Sequence, residues 1–200
     1  MSASERPEPG REAILQALER HEVRYVVIGG AAAQARGWPE HTEDLDVTPE
    51  RSQRNLARLA AAMEELDAGF RVDERRYPNG YRPPGGIDAR TFRNQICVAF
   101  ATRHGNFDVV ILPDGTRGYE QIARTATRER MAGTQIVVPV ASAETILHSK
   151  TVANRQKDRD TLERMREILD PLSSRPYEPW SPDTERDPGR SRDERDRSDR

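Results

Sequence analysis

A short apolar run that stops at two glycines is the feature that most constrains how this chain folds. Residues 25–28 read Tyr-Val-Val-Ile, a composition typical of a buried strand. Gly29 and Gly30 end this strand, and residues 31–36 (AAAQAR) have strong helix propensity. A strand that passes into a helix at two glycines places free backbone N–H groups at the positive end of the helix dipole. We therefore expect Gly29 and Gly30 to lie where a phosphate group can bind.

A pair of aspartates follows this unit. Asp44 and Asp46 flank Leu45 in a second short apolar run that Pro49 closes. Residues two apart on a strand point to the same side, so both carboxylates face one point while Leu45 faces the core. Two carboxylates this close repel each other unless a cation lies between them, and hard oxygen ligands favour Mg²⁺ or Mn²⁺. The pair therefore predicts a divalent metal site.

A third aspartate lies inside another apolar strand, between Phe107 and Val109. A buried Asp108 is costly without a partner, and metal coordination would supply one. Each feature alone is weak evidence, since two glycines also mark an ordinary turn, an Asp-x-Asp pair also occurs at solvated strand edges, and Asp108 could pair with an arginine. Together, in this order, they favour one site that holds a metal ion and a phosphate.

The remaining elements are predicted from apolar periodicity, capping residues and turn residues. Helices are expected over residues 12–21, 52–66, 142–154 and 159–169, strands over 95–102 and 107–112, a hairpin over 127–140, and an irregular loop over 67–89. This order describes an α/β domain, with a short mixed sheet, helices packed on it and two helices at the C-terminal end.

The polar residues are concentrated at the two ends of the chain. We expect residues 1–10 to form a flexible arm, residues 11–172 to form one domain, and residues 173–200 to form a disordered charged tail. The tail alternates Arg with Asp or Glu and has almost no aliphatic residues, so it cannot bury enough apolar surface to become ordered.

Composition excludes several classes of protein. The net charge of −2 argues against a strongly basic nucleic-acid surface, and a single cysteine excludes an intramolecular disulfide and a cysteine-based zinc cluster. The apolar stretches are too short to span a membrane, and no secretory signal pattern is present. We expect a soluble, cytoplasmic protein without a membrane partner.

The arrangement of these motifs resembles the polymerase-β-like nucleotidyltransferases, whose signature is hydrophobic-Gly-Gly, Asp-hydrophobic-Asp and a later hydrophobic-Asp-hydrophobic strand. Residues 25–47 are similar to the minimal and AbiEii-like, toxin-type bacterial members, in which a Thr precedes the acidic pair as Thr42 does here. Lys150 and the Arg155-Gln-Lys157-Asp158 element match the lysine and the Arg-x-Lys-Asp element of their C-terminal helices. The resemblance covers residues 25–169.

This resemblance implies a role for each matching residue. The metal ligands and catalytic residues would be Asp44, Asp46 and Asp108, and the nucleoside triphosphate would be bound by Gly29, Gly30, Thr42, Lys150, Arg155 and Lys157. For Arg155 and Lys157 a structural role is equally consistent with the sequence, since Lys157 and Asp158 would also make a helix-start ion pair. Gly30 departs from the many relatives that carry Ser there, and we expect no separate acceptor-binding domain after these helices.

The function implied is transfer of a nucleoside monophosphate from an NTP to a hydroxyl group on RNA, such as tRNA, or on a protein. In that interpretation the protein is a toxin paired with an antitoxin, or part of a phage-defence pair. One alternative is a small-molecule, aminoglycoside-type nucleotidyltransferase, which would need an acidic acceptor pocket. Another is a non-catalytic module that senses or binds a nucleotide.

Three further interpretations concern less specific residues. Cys97 alternates into a strand and is expected in the core. Trp38 fits either stacking on a base or core packing. The loop residues Arg75, Arg76, Tyr77, Tyr81 and Arg82 mix cations with aromatic rings, which would suit a nucleic-acid contact, although a solvated loop is the favoured interpretation.

Overall fold

A computed structural model of the chain describes residues 9–42 and 44–170. The expected disordered tail and most of the expected N-terminal arm lie outside these residues. The seven helices of the described region are α1 (Pro9–Arg20), α2 (Gly29–Ala35), α3 (Gln53–Glu65), α4 (Ala89–Arg93), α5 (Tyr119–Thr125), α6 (Ala143–Ala153) and α7 (Gln156–Leu169). The seven strands are β1 (Tyr25–Ile28), β2 (Leu45–Pro49), β3 (Gly69–Phe70), β4 (Cys97–Thr102), β5 (Gly105–Val110), β6 (Thr127–Arg130) and β7 (Val137–Val140).

The strands form one mixed sheet in the order β3-β4-β5-β2-β1-β7-β6. β2 lies at its centre, antiparallel to β1 and parallel to β5. β1 pairs with β7 in parallel, and the other neighbours are antiparallel. This topology brings the strand before the two glycines and the two strands that carry the predicted acids side by side. The predicted α/β class, with a mixed sheet and packed helices, is confirmed.

The apolar faces predicted for the first and third helices form much of the core. On α1, Ile14, Leu15 and Leu18 are fully buried, and α3 buries Leu59 and Met63 in the same way. Both helices pack together and against the sheet because their apolar residues recur at helical spacing. The sequence pattern therefore predicted this side of the core correctly.

Capping residues fix where the later helices begin. Ser52 and Ser142 each accept a hydrogen bond from a backbone N–H in the first turn of the helix that follows, as predicted for Ser142. α6 ends at Asn154 in a left-handed conformation, and α7 begins two residues later at Gln156, which is earlier than expected. Arg155 therefore lies at the junction of the two C-terminal helices.

Several short elements were missed by the sequence analysis. The predicted irregular loop contains β3, α4 begins at its end, and α5 lies where no element was expected. α1 begins at Pro9, so two residues assigned to the arm are helical. α4, α5 and β3 contain two to seven residues each, too few for a periodic apolar pattern to stand out. None of the helices in the described residues is long and apolar enough to cross a membrane.

Asn55 on α3 provides a polar connection between this helix and the central strands. Its side chain is buried, accepts a hydrogen bond from Arg24 N (2.7 Å), and donates to the carbonyl oxygens of Arg24 (2.9 Å) and Glu50 (2.8 Å). These partners flank β1 and β2, so Asn55 satisfies backbone groups at the ends of both strands. Because buried polar groups are costly when unpaired, this contact ties the helix to the sheet.

We predict that Asn55→Ala destabilises the fold by about 3 kcal/mol, since three backbone groups each lose a hydrogen bond, although the Arg24 carbonyl oxygen still accepts from Glu50 N at 3.0 Å. Urea unfolding followed by circular dichroism measures the change. The matched control is Asn94→Ala at an exposed position, which should change the free energy of unfolding by less than about 0.5 kcal/mol. Equal effects of the two substitutions would contradict the role assigned to Asn55.

Candidate nucleotide and metal site

All nine residues predicted for the site line one cleft of about 480 Å³. They are Gly29, Gly30, Thr42, Asp44, Asp46, Asp108, Lys150, Arg155 and Lys157. The acids come from the central strands, the glycines from the start of α2, and the cations from α6, α7 and their junction. The fold thus gathers residues that are far apart in the chain, although their roles in binding and catalysis stay a prediction.

The three acids occupy neighbouring strands at the same level of the sheet. Asp46 on β2 is in register with Asp108 on β5, and Asp44 directly precedes β2. Leu45 and Val47, which alternate with Asp46, are buried on the other side. The side chain of Asp44 is 43% exposed and that of Asp108 is 16% exposed. The predicted alternation along β2 therefore holds and directs the carboxylates into the cleft.

An arginine that the sequence analysis did not select lies among these acids. Arg71 Nη2 donates to both carboxylate oxygens of Asp108 at 2.9 Å, and Nη1 donates to Asp44 Oδ1 at 3.2 Å. The guanidinium group is 20% exposed. No motif marks Arg71, because it follows a two-residue strand inside the segment predicted as irregular. Only the pairing of β3 with β4 places Arg71 beside the acids.

Burial, together with repulsion between the acids, raises the pKa of two of them. Burial, followed by repulsion from Asp108 and Asp44, raises the pKa of Asp46 to about 6. Lys157 and Lys150 act in the opposite direction. Burial also raises the pKa of Asp108, although Arg71 partly offsets this. Negative charge in the cleft is therefore only partly neutralised by the side chains present.

Among residues 9–42 and 44–170, no three acidic, histidine or cysteine side chains are close enough together to form a metal cluster. The donor set nevertheless fits a divalent cation. It offers hard carboxylate oxygens, the kind of ligand that Mg²⁺ and Mn²⁺ prefer. Asp46, the most strongly perturbed of the three, forms no ion pair within the described part of the chain. A cation bound by Asp44, Asp46 and Asp108 would relieve the repulsion that raises the pKa of Asp46.

The structure shows steric reasons for glycine at positions 29 and 30 that the sequence analysis did not predict. Gly29 has a φ of +65°, and a methyl group added there would lie 2.3 Å from Asp46 Oδ2. A methyl group at Gly30 would lie 2.9 Å from Thr42 Oγ1. The glycines therefore let one acid and one hydroxyl group pack against the start of α2. The residue before this helix is Ile28, whose side chain cannot cap its N–H groups.

Thr42 is held in place from the N-terminal helix. Arg11 is buried and donates to the Thr42 carbonyl oxygen (2.6 Å) and to Gln34 Oε1 on α2 (3.0 Å). Arg11 thus links α1, α2 and the segment before the acidic pair. The sequence analysis missed this residue, since an arginine at the start of a helix carries no signal of a distant contact.

The three predicted cations also line the cleft. Lys150 Nζ donates to Asp158 Oδ1 at 2.8 Å, and Asp158 is buried. The suggested helix-start pair of Lys157 with Asp158 is therefore wrong, because Asp158 points back to α6. Lys157 lines the cleft instead. Arg155 forms a loose ion pair with Asp114 at 3.7 Å and is 64% exposed.

Two of the less specific interpretations can now be revised. Cys97 is exposed and lines the cleft, so its assignment to the core is wrong. It alternates with the buried Val98 and Phe100 along β4, so its side chain lies on the opposite face of the sheet, which lines the cleft. Trp38 is buried, with the Arg164 guanidinium 4.9 Å from its ring centroid, so most of its surface is used in packing. In the loop of residues 67–89, the Arg76 guanidinium group lies over the Tyr77 ring and Arg82 forms an ion pair with Asp67. Both contacts are made within the loop itself.

No protein-family model matches the sequence, and no curated protein matches it. Solved structures do share its fold. A lincosamide antibiotic adenylyltransferase, LnuA, bound to lincomycin is 12% identical, with a TM-score of 0.54 over 82% of this chain and 99% of that chain. An antigenic nucleotidyltransferase-like protein from Paracoccidioides brasiliensis is 21% identical, with a TM-score of 0.51 over 82% and 76% of the two chains.

A third structure is ANT(2″)-Ia in complex with adenylyl-2″-tobramycin, which is 16% identical with a TM-score of 0.51 over 78% of this chain and 85% of that chain. The chain has a nucleotidyltransferase fold. At these identities the likeness establishes the architecture alone, and it does not distinguish the AbiEii-like subfamily from others.

We predict that Asp46→Asn stabilises the metal-free protein at neutral pH. The pKa of Asp46 is about 6 in the folded protein and 3.8 for an unperturbed aspartate, so the stability that this group contributes is greatest below about pH 4 and declines as the pH rises to about 6. At pH 7.5 the substitution should add up to about 3 kcal/mol, since each pKa unit corresponds to about 1.4 kcal/mol. Near pH 4 the gain should vanish.

Thermal unfolding in EDTA across this pH range measures the difference. Glu64→Gln, at an exposed carboxylate outside the cleft, is the control and should change the stability little at either pH. A gain for Asp46→Asn that is independent of pH, or no gain at all, would contradict the electrostatic account.

We predict that Gly29→Ala is more destabilising than Gly86→Ala. Both glycines have a left-handed φ, +65° and +70°, so backbone strain of about 1 kcal/mol applies to each. Only the methyl group at Gly29 meets another atom, Asp46 Oδ2, whereas nothing lies within 4 Å of the one at Gly86. Urea unfolding of both variants isolates the contact with the acid. Equal losses of stability would show that Gly29 is needed only for its backbone conformation.

Proposed function

We propose that this protein is a metal-dependent nucleotidyltransferase, which moves a nucleoside monophosphate from an NTP to a hydroxyl group. The observation that carries the proposal is the mixed charge of the cleft. Three carboxylates at the central strands and three cations from the C-terminal helices and their junction line the same cleft of about 480 Å³. A metal-bound triphosphate needs both kinds of group, oxygen ligands for the cation and positive charge for the phosphates. The nucleotidyltransferase fold supports the same conclusion.

The residues divide into two groups with different tasks. Asp44, Asp46 and Asp108 would hold Mg²⁺ or Mn²⁺, and a divalent cation there would stabilise the charge that develops on the attacking and leaving oxygens. Lys150, held by Asp158, presents a fixed positive charge to the β- and γ-phosphates. Lys157 and the exposed Arg155 extend this positive side.

The start of α2 completes the nucleotide site. Gly29 and Gly30 carry no side chains at the start of this helix, and the Thr42 hydroxyl lies beside Gly30, in the space that a side chain at this position would otherwise fill. Thr42 can thus supply the hydroxyl contact that Gly30 cannot.

The reaction balances without a further reactant. The acceptor oxygen forms a bond to the α-phosphorus, the bond from this phosphorus to the bridging oxygen breaks, and pyrophosphate leaves with the displaced electron pair. The hydroxyl proton is released. The chain's own contribution is to fix the triphosphate between the cations and the acids, because phosphoryl transfer depends mainly on positioning and electrostatic stabilisation.

Two classes of acceptor are each favoured by a different observation. The sequence resemblance to toxin-type members favours a macromolecular acceptor, tRNA or another RNA first and a protein second, with an antitoxin as a partner. The fold neighbours favour a small molecule, because two of them are crystallised with lincomycin or adenylyl-2″-tobramycin. The cleft has further acids at Glu40 and Asp114, both already in ion pairs with arginines.

A transfer assay tests the proposal. We would incubate the protein with each α-labelled NTP and Mg²⁺ or Mn²⁺, in separate arms containing total bacterial RNA, total protein, tobramycin or lincomycin. We expect label in one acceptor arm with the wild type. Asp44→Asn/Asp46→Asn should reduce transfer by about 100-fold or more, since both metal ligands are lost. The matched control, Asp160→Asn on the exposed side of α7, should retain activity.

The arm that acquires label identifies the acceptor class. NTP binding that depends on the two acids, without transfer in any arm, would favour a nucleotide-sensing module. No NTP binding at all, or transfer that survives the double substitution, would contradict the proposal.

A further inference from the structure

Arg71 is placed in the acidic site by the register of four strands. Asp46 on β2 is in register with Asp108 on β5, and Asp108 is in register with Ala99 on β4. Arg71 continues the edge strand β3 and donates its backbone N–H to the Ala99 carbonyl oxygen at 2.9 Å. These residues form one row across the sheet. Within this row, the small side chain of Ala99 lies between Arg71 and Asp108. The long Arg71 side chain can therefore reach from the edge of the sheet to its centre.

The guanidinium group joins two of the three acids. It bonds both oxygens of Asp108 and one oxygen of Asp44, and all three of these oxygens belong to predicted metal ligands. Burial alone would lower the pKa of Arg71, but Asp108 and Asp44 outweigh that effect and raise it. Arg71 therefore stays charged and satisfies carboxylates that would otherwise repel each other in a partly buried cleft.

We propose that Arg71 is the internal counter-ion of the acidic site and competes with a divalent cation for Asp44 and Asp108. The inference rests on the proposed function and adds a positioning residue to it. Arg71 keeps the two acids together in the metal-free protein. It must release their oxygens when a metal ion is bound. One carboxylate oxygen cannot coordinate a metal ion and accept a hydrogen bond from Arg71 without weakening both contacts. Only Asp46 is left without this partner.

The residue's location permits this exchange. β3 has only two residues and is the last named strand of the sheet, and residues 71–88 between β3 and α4 have little regular structure. On its outer side β3 has one isolated bridge, between Phe70 and Tyr81. A short segment held by few ladder hydrogen bonds can shift at lower cost than a central strand. Lys150, by contrast, is held by the buried Asp158 and lines the cleft from α6.

Mn²⁺ binding without nucleotide tests the inference independently of activity. Titration followed by electron paramagnetic resonance should show that Arg71→Met binds Mn²⁺ about tenfold or more tightly than the wild type. Arg71→Lys, which keeps the charge but loses the forked geometry, should bind with intermediate affinity and remains informative if Arg71→Met does not fold. Arg90→Met, which removes an exposed ion pair with Asp88, is the control and should match the wild type.

Thermal unfolding provides a second readout. Without metal, Arg71→Met should melt below the wild type because its acids are unpaired, and Mn²⁺ should raise its melting temperature by more than it raises that of the wild type. If the wild type binds Mn²⁺ and Arg71→Met binds it with equal or lower affinity, the role of Arg71 is overturned. The proposed function would still stand. Absence of Mn²⁺ binding by every variant would overturn both.

Discussion

The parallel pairing of β2 with β5 is the constraint on which the rest of the site depends. It sets Asp46 beside Asp108 in the centre of the sheet and concentrates negative charge where few water molecules can screen it. The surrounding features respond to that charge. Gly29 leaves room for the Asp46 carboxylate, Arg71 bonds Asp108, and Lys157 and Lys150, which line the same cleft, act to lower the pKa of Asp46.

The cations reach the cleft by two different routes, and this difference separates their tasks. Lys150 sits on α6, and its partner Asp158 is buried on α7, so its position is set by packing between two helices. Arg71 is held at the edge of the sheet by a short strand. In the proposed function, a cation fixed by packing would suit contact with the triphosphate in one place, whereas a cation next to a short edge strand would suit exchange with a metal ion.

Much of the fold and of the site was predictable from residues close together in sequence. The apolar periodicity of α1 and α3 predicted the core, and the strand-glycine-helix unit with Asp44, Asp46 and Asp108 predicted which elements form the cleft. Contacts that depend on strand register and helix packing were not predictable. Arg11 to Thr42 and Arg71 to Asp108 join distant segments, and Lys150 to Asp158 joins two packed helices, none of which one sequence reveals. The error on Cys97 arose because alternation does not determine which of the two faces of a strand is the buried one.

The most direct test of the account is the location of a metal ion in crystals grown with Mn²⁺ and a non-hydrolysable NTP analogue. Anomalous scattering should place Mn²⁺ about 2.1 Å from carboxylate oxygens of Asp44 and Asp46, with the triphosphate directed toward Lys150 and the Arg71 guanidinium displaced from Asp44. Mn²⁺ bound elsewhere, or a triphosphate that avoids the cleft while Arg71 keeps both acids, would contradict it.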